Sequence, residues 1–112
     1  MRGKLTHMVE IAQLHRELVA RVLEGNGKAT PELRRAAFDN AGVREPIHTL
    51  IEKVANHAHR VTDEDVAAVH AAGLSEDQIF EIVICAAVGQ ASRQYTSALD
   101  ALASATGEKG EP

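Results

Sequence analysis

The stretch GLSEDQIFEIVICAAVGQAS, residues 73–92, decides the fold of this chain. It opens with a glycine that ends one helix. Ser75 and Gln78 then form a capping box, in which each side chain satisfies a free backbone amide at the start of the next helix. The residues after this box are apolar on nearly every side of a helix. We therefore predict a long helix over residues 76–104, with its first half buried on all sides.

A chain of 112 residues has few elements with which to surround such a helix. A helix that is apolar all round must be covered all round, and a second copy of the protein would supply the missing cover. Gly89 and the neighbouring Ala86 and Ala87 are small enough to let a second backbone approach closely. We expect a homo-oligomer that assembles through the helix of residues 76–104, working by itself or with a larger partner protein.

Four shorter helices are predicted before the long one. Apolar positions recur at helical spacing over residues 5–23, and the glycines of EGNG end that helix. Thr30 and Pro31 are the cap and the first residue of a second helix. A third helix is predicted over residues 47–60, and a fourth follows its cap residue Thr62.

No segment alternates apolar and polar residues as a strand would. The predicted fold class is therefore all-α, a compact bundle of about five helices with short connections. Residues 1–105 are expected to form one helical domain because no linker divides them. The end of the chain, residues 106–112, is expected to be a disordered tail.

The composition limits the classes of function. The formal net charge is -4 and the basic residues are scattered, which gives no electrostatic footprint for nucleic acid. No apolar run has the length of a membrane helix, and the N-terminus lacks the apolar core of a signal peptide. The single cysteine excludes an internal disulfide and fits a reducing compartment. We expect a cytoplasmic protein that binds neither nucleic acid nor a membrane.

The segment VTDEDVAAVHAAGLSEDQIFEIVICAAVG, residues 61–89, resembles the C-terminal half of the alkylhydroperoxidase D-like and carboxymuconolactone decarboxylase-like families. Their shared pattern is a short alanine-rich helix, a Gly-Leu-Ser turn, two or three acidic residues and an apolar helix containing Glu-Ile-Val. The similarity extends over about residues 54–102. It implies an all-α fold that assembles as dimers, trimers or hexamers, and it indicates peroxidase or decarboxylase chemistry as the activity to look for.

The chain departs from these families at their reactive centre. The peroxidase members carry Cys-x-x-Cys, then a histidine four residues later, on the helix before the Gly-Leu-Ser turn. Aligned on Gly73, that segment falls at residues 58–65, which contain neither cysteine and have Asp65 in the place of the histidine. The Tyr-Glu…His arrangement of the decarboxylase-like members is also missing. The resemblance therefore implies a divergent member without the dithiol centre, acting as an accessory, structural or small-molecule-binding protein.

Glu81 and Cys85 lie four residues apart on one face of the long helix. A reactive thiol needs a nearby cation or helix N-terminus and some exposure, whereas Cys85 lies deep in an apolar segment and Glu81 opposes a thiolate. We interpret Cys85 as a small buried hydrophobe. We interpret Glu81 as a structural carboxylate that ties a neighbouring helix or subunit, through Arg93 or a histidine, since an isolated buried carboxylate is costly. The competing interpretation of Glu81 is a pocket acid or base.

The alternative functional hypothesis is an active enzyme, a one-cysteine peroxidase or a decarboxylase. Its candidate catalytic residues are Cys85, Glu81 and a histidine from His57 or His59, contributed across a subunit interface. On one helix these two histidines would project about 200° apart, so they would not chelate a metal together. Only one Glu-x-x-His match is present, at residues 45–48, whereas helix-bundle metal sites repeat this motif. No metal site and no cofactor are expected.

Overall fold

The computed structural model describes residues 2–107. Over this range the chain folds into five α-helices and one short 3-10 turn, without strands. The helices are α1 (Arg2–Glu24), α2 (Pro31–Asp39), α3 (Ile47–Asn56), α4 (Asp63–Ala71) and α5 (Glu76–Thr106). The 3-10 turn covers Ala58–Arg60. The prediction of an all-α fold with about five helices is confirmed. Within residues 2–107, none of these helices combines the length and apolarity needed to span a bilayer.

The start of α5 is formed by the predicted capping box. The Gln78 amide donates to Ser75 Oγ at 3.1 Å, and the Ser75 amide donates to Gln78 Oε1 at 2.8 Å. The helix continues two residues beyond its predicted end, to Thr106, and Gly107 terminates it in the left-handed region at φ 76°. The first two residues of the predicted tail thus belong to this helix end, and residues 108–112 lie outside the described part of the chain.

The third helix is shorter than predicted. It ends at Asn56, because His57 leaves the helical region with φ -149° and ψ 53°. The chain must reach the extended conformation of Thr62, which caps α4 in a capping box with Asp65. His57 and His59 therefore do not share one helix, and their rings lie 6.4 Å apart, edge to face. The prediction that they project in opposite directions from a single helix was wrong for this reason.

The core forms where α2, α3 and α4 pack on the first half of α5. One buried cluster joins α2, α3 and α5, and a second joins α3, α4 and α5. The first cluster contains Ala29, Ala37, Ile51, Ile82, Cys85 and Ala86, and the second contains Leu50, Val69 and Ile79. The first half of α5 is thus covered by its own chain on one side only. Phe80 is 65 % exposed and Ala87 is also exposed, so the prediction that this half is buried on all sides was wrong for the protomer.

Gly89 permits a close backbone approach, as predicted, but the approaching backbone belongs to the same chain. A Cβ at this position would meet the backbone of Phe38, at the end of α2. Ala86 is likewise buried within the protomer, whereas Ala87 is exposed. Gly89 and Ala86 thus pack against α2 of the same protomer, and they do not by themselves indicate a second copy.

Candidate functional site

The carboxylate of Glu81 binds the backbone that connects α1 to α2. The Lys28 amide donates to both oxygens, at 2.9 Å to Oε1 and 2.8 Å to Oε2, and the Ala29 amide donates to Oε1 at 2.7 Å. Glu81 thus ties the connection to α5, which agrees with a structural carboxylate. The predicted partner was wrong, because Arg93 donates to the Phe38 carbonyl at 2.7 Å instead.

The surroundings of Glu81 favour its ionised form. Partial burial raises the pKa of Glu81, but the amide hydrogen bonds from Ala29 and Lys28 and the positive charges of Arg34 and Lys28 outweigh it. The pKa of this carboxyl group therefore falls below its ordinary value of 4.5. A group that must stay ionised to hold two amides is poorly suited to exchange protons with a substrate near neutral pH.

The Cys85 thiol is buried, with 1 % of its surface exposed, and it donates to the Val22 carbonyl at 3.3 Å. Burial raises the pKa of Cys85, Arg34 opposes this increase, and the negative charge of Glu81 adds to it. The net direction is upward. Since the thiolate is the nucleophile, the site disfavours the reactive form of this cysteine.

We expect the protein to consume hydrogen peroxide no faster than its Cys85→Ser variant does. The reason is that a buried thiol with a raised pKa offers neither access nor thiolate to the peroxide. Peroxide remaining after incubation with each protein measures this directly. Peroxide consumption that is lost in both Cys85→Ser and Glu81→Gln would instead support the enzyme hypothesis.

Glu81 and Cys85 line one cavity of about 140 Å³, between α1, α2 and α5. Arg34 of α2 lines the same cavity and is the buried charged residue of the described chain. The sequence analysis missed Arg34, although a signal was present. Arg34 precedes the fully buried Ala37 by three residues, and residues three apart lie on one face of a helix.

The structure does not bring the candidate histidines to this cavity. His57 and His59 are exposed, beyond the end of α3, and neither lines it. His15, which the sequence did not single out, instead lies between α1 and α5. Its Nε2 is 2.8 Å from Ser92 Oγ, and its ring lies 4.8 Å from that of Tyr95. Among the described residues, no three or more His, Cys, Asp and Glu side chains are grouped as metal ligands would be.

A second feature is a pair of helices that extends beyond the core. Cys85 contacts Val22, and Ser92 contacts His15, so α1 and α5 run antiparallel. Every buried residue of the described side chains lies between positions 23 and 89. We call residues 6–22 of α1 and 90–106 of α5 the arm.

Large apolar side chains of the arm are exposed to solvent. Seven of them are between 40 and 63 % exposed: Met8, Val9, Ile11, Leu14, Leu18, Leu99 and Leu102. Ile11, Leu14 and Leu18 follow helical spacing, and together with Val88 and Tyr95 they line a groove of about 370 Å³ between the two helices. Scattered surface leucines are ordinary, whereas a contiguous apolar groove is the kind of surface at which proteins bind partners or ligands.

No protein-family model, curated protein or solved structure matches this chain. The resemblance to the alkylhydroperoxidase D-like and carboxymuconolactone decarboxylase-like families therefore stays a prediction.

Proposed function

We propose that this protein is a homo-oligomeric accessory or structural protein without a dithiol centre, and that the arm is the surface through which its copies assemble. The exposed apolar groove of the arm is the observation that carries this proposal. A divergent, non-catalytic member of the families that the chain resembles would have this character. The ionised, amide-bound Glu81 and the buried Cys85 support a non-catalytic role.

The geometry of the arm supports assembly into a four-helix bundle. Two antiparallel helices bury only the side chains between them, whereas two such pairs enclose a full core. Ile11, Leu14 and Leu18 on one helix follow the i, i+3, i+7 spacing of a bundle-forming stripe, and Tyr95, Leu99 and Leu102 on the other follow i, i+4, i+7. A second arm laid on the groove would cover both stripes at once.

The surface area of the protomer also supports a second copy as the occupant. Its accessible surface is 7785 Å². A monomer of its mass, 12.0 kDa, is expected to expose about 6,000 Å². The excess is larger than the roughly 800 Å² that each partner contributes to a standard interface. Pairing through the arm would remove its exposed apolar side chains from water.

We expect sedimentation at micromolar concentration to give a multiple of the 12.0 kDa protomer mass. Leu14→Glu should convert the protein to a monomer that keeps its helical circular dichroism, because it places a charge in the groove without touching the core. Val66→Glu, on an exposed apolar residue of α4 away from the arm, is the matched control and should leave the assembly intact.

The two variants distinguish the ways in which this proposal can fail. A wild-type protein that sediments as a monomer would contradict self-association altogether. An oligomer that survives Leu14→Glu and dissociates in Val66→Glu would show that the copies meet at the α4–α5 surface and that the arm has another role.

A further inference from the structure

Arg34 is an unusual arginine because it is buried without an ion pair. Only 6 % of its surface is exposed. Its Nη1 donates to the Gly25 carbonyl at 2.7 Å, while its Nε is buried and has no acceptor. The ion pairs found within residues 6–107 join Arg35 to Asp39 and Lys53 to Asp65, so no carboxylate lies within 4.0 Å of Arg34. Buried arginines are usually paired, since an unpaired buried charge is costly.

The cavity beside Arg34 has the size of a small molecule. Its volume of about 140 Å³ corresponds to roughly four to five waters at ~30 Å³ each, or a similar number of heavy atoms. Val22, Phe80 and Ile84 supply apolar wall, and Asn26 supplies a polar side chain. A compact group with one polar end and a short apolar end fits this lining.

The charges around the cavity leave an excess of positive charge. Arg21 and Arg34 line it, against the single negative charge of Glu81. Glu81 is already occupied by the amides of Lys28 and Ala29, which donate three hydrogen bonds to it. The Arg34 guanidinium has one acceptor among the described residues, the Gly25 carbonyl, and one further negative charge would balance the two arginines. An arginine fork donates two parallel hydrogen bonds to a carboxylate or a phosphate, and the apolar wall of this cavity favours a carboxylate with a short apolar end.

We propose that the cavity between α1, α2 and α5 binds a small monocarboxylate of about four or five heavy atoms, with the Arg34 guanidinium as its anchor. The carboxylate accepts from Arg34, and the short apolar end of the ligand lies against Val22, Phe80 and Ile84. Cys85 lies in the wall, with its thiol already donating to the Val22 carbonyl, so binding involves no covalent step. This site does not depend on the arm, and it adds a ligand class to the proposed accessory role.

The test is a titration of the full-length protein with acetate at neutral pH and constant ionic strength. Acetamide, which has the same shape without the charge, and chloride, which has the charge without the shape, are the ligand controls. We expect acetate to shift the Arg34 Nε–Hε resonance in a saturable manner and to raise the thermal midpoint. Acetamide and chloride should do neither.

Two variants locate the effect. Arg34→Lys keeps the charge but loses the fork, and it should weaken the response to acetate by about tenfold or more, because the ligand loses a charge-assisted hydrogen bond. Arg35→Lys changes the exposed neighbour on the same helix and should respond as the wild type does.

Three results would overturn the site. They are the lack of a saturable shift, an equal response to acetate and acetamide, and an equal loss of response in Arg35→Lys. If Arg34→Lys does not fold, the wild-type resonance titration decides by itself. A monomeric wild-type protein would contradict assembly through the arm and would leave this result unaffected.

Discussion

Gly89→Ala is expected to destabilise the protein by about 2–3 kcal/mol, the upper part of the range for overpacking a core. A Cβ at this position would meet the backbone of Phe38, and a backbone cannot rotate away as a flexible side chain can. The last turn of α2 would have to move off α5, and the hydrogen bond from Arg93 to the Phe38 carbonyl would move with it. Urea denaturation at one fixed protomer concentration measures the change, because unfolding of an oligomer depends on concentration.

The sign of the stability change distinguishes a clash with α2 from a simple change in helix propensity. In an exposed helix interior, replacing glycine with alanine stabilises by about 1 kcal/mol. The matched control is therefore Ala68→Gly, at an exposed position of α4 outside the arm, which should lose about that amount from helix propensity alone. If Gly89→Ala instead raised the urea midpoint, the gain in helix propensity would outweigh any clash with Phe38. That result would show that α2 does not lie directly on α5 at this position.

Features that depend on neighbours in sequence were predicted well. The capping box of Ser75 and Gln78 lies within one turn, so its residues carry the whole signal for the start of α5. The end of α3 was missed because it depends on the conformation that Thr62 needs to cap the next helix. Residues 57–60 have no glycine or proline to mark this break.

For features that depend on distant parts of the chain, the sequence predicted the type of contact but not the partner. Gly89 indicated a close approach, but small residues do not show which backbone approaches. Glu81 indicated a hydrogen-bonded carboxylate, but its partners are backbone amides 52 and 53 positions away. Every residue other than proline has a backbone amide, so no side chain at residues 28 and 29 could mark them as ligands.

The candidate site shows the same limit. Glu81 and Cys85 were singled out from the sequence, and the structure places both in one cavity. Arg34 was missed because an arginine is normally solvated, and its spacing of three residues from Ala37 is a weak signal beside that expectation. The ligand proposed for this cavity therefore depends on Arg34, the lining residue that the sequence pattern indicated least clearly.

Glu81→Gln is expected to destabilise the protein by about 2 kcal/mol at neutral pH, because hydrogen bonds to a charged acceptor contribute about 1.5–3 kcal/mol. The Lys28 amide donates to both carboxylate oxygens, and the variant replaces one of them with a carboxamide NH2 group, which is a donor and cannot accept from it. The connection from α1 to α2 would then lose part of its attachment to α5. Gly27, which lies beside the carboxylate, leaves no side chain to fill the gap.

The same change should alter the response to acid. The pKa of Glu81 is lowered in the folded protein, so its ionised form contributes stability that is fully present above the unfolded value near 4.5. That contribution is lost as the pH falls through the lower, folded value. The difference in unfolding free energy between the wild type and Glu81→Gln should therefore be largest near neutral pH and should shrink below about pH 4.5.

Comparing the two proteins at each pH isolates Glu81 from the other carboxylates. The pKa values of Glu45, Glu52 and Asp65 are also lowered by their hydrogen bonds, to Thr49, Asn40 and Lys53 respectively, and they contribute equally to acid unfolding of both proteins. Glu10→Gln, an exposed position on α1, is the matched control and should follow the wild type at every pH. A difference between the wild type and Glu81→Gln that stays constant from pH 7 to pH 3 would show that Glu81 acts through packing and not through its charge.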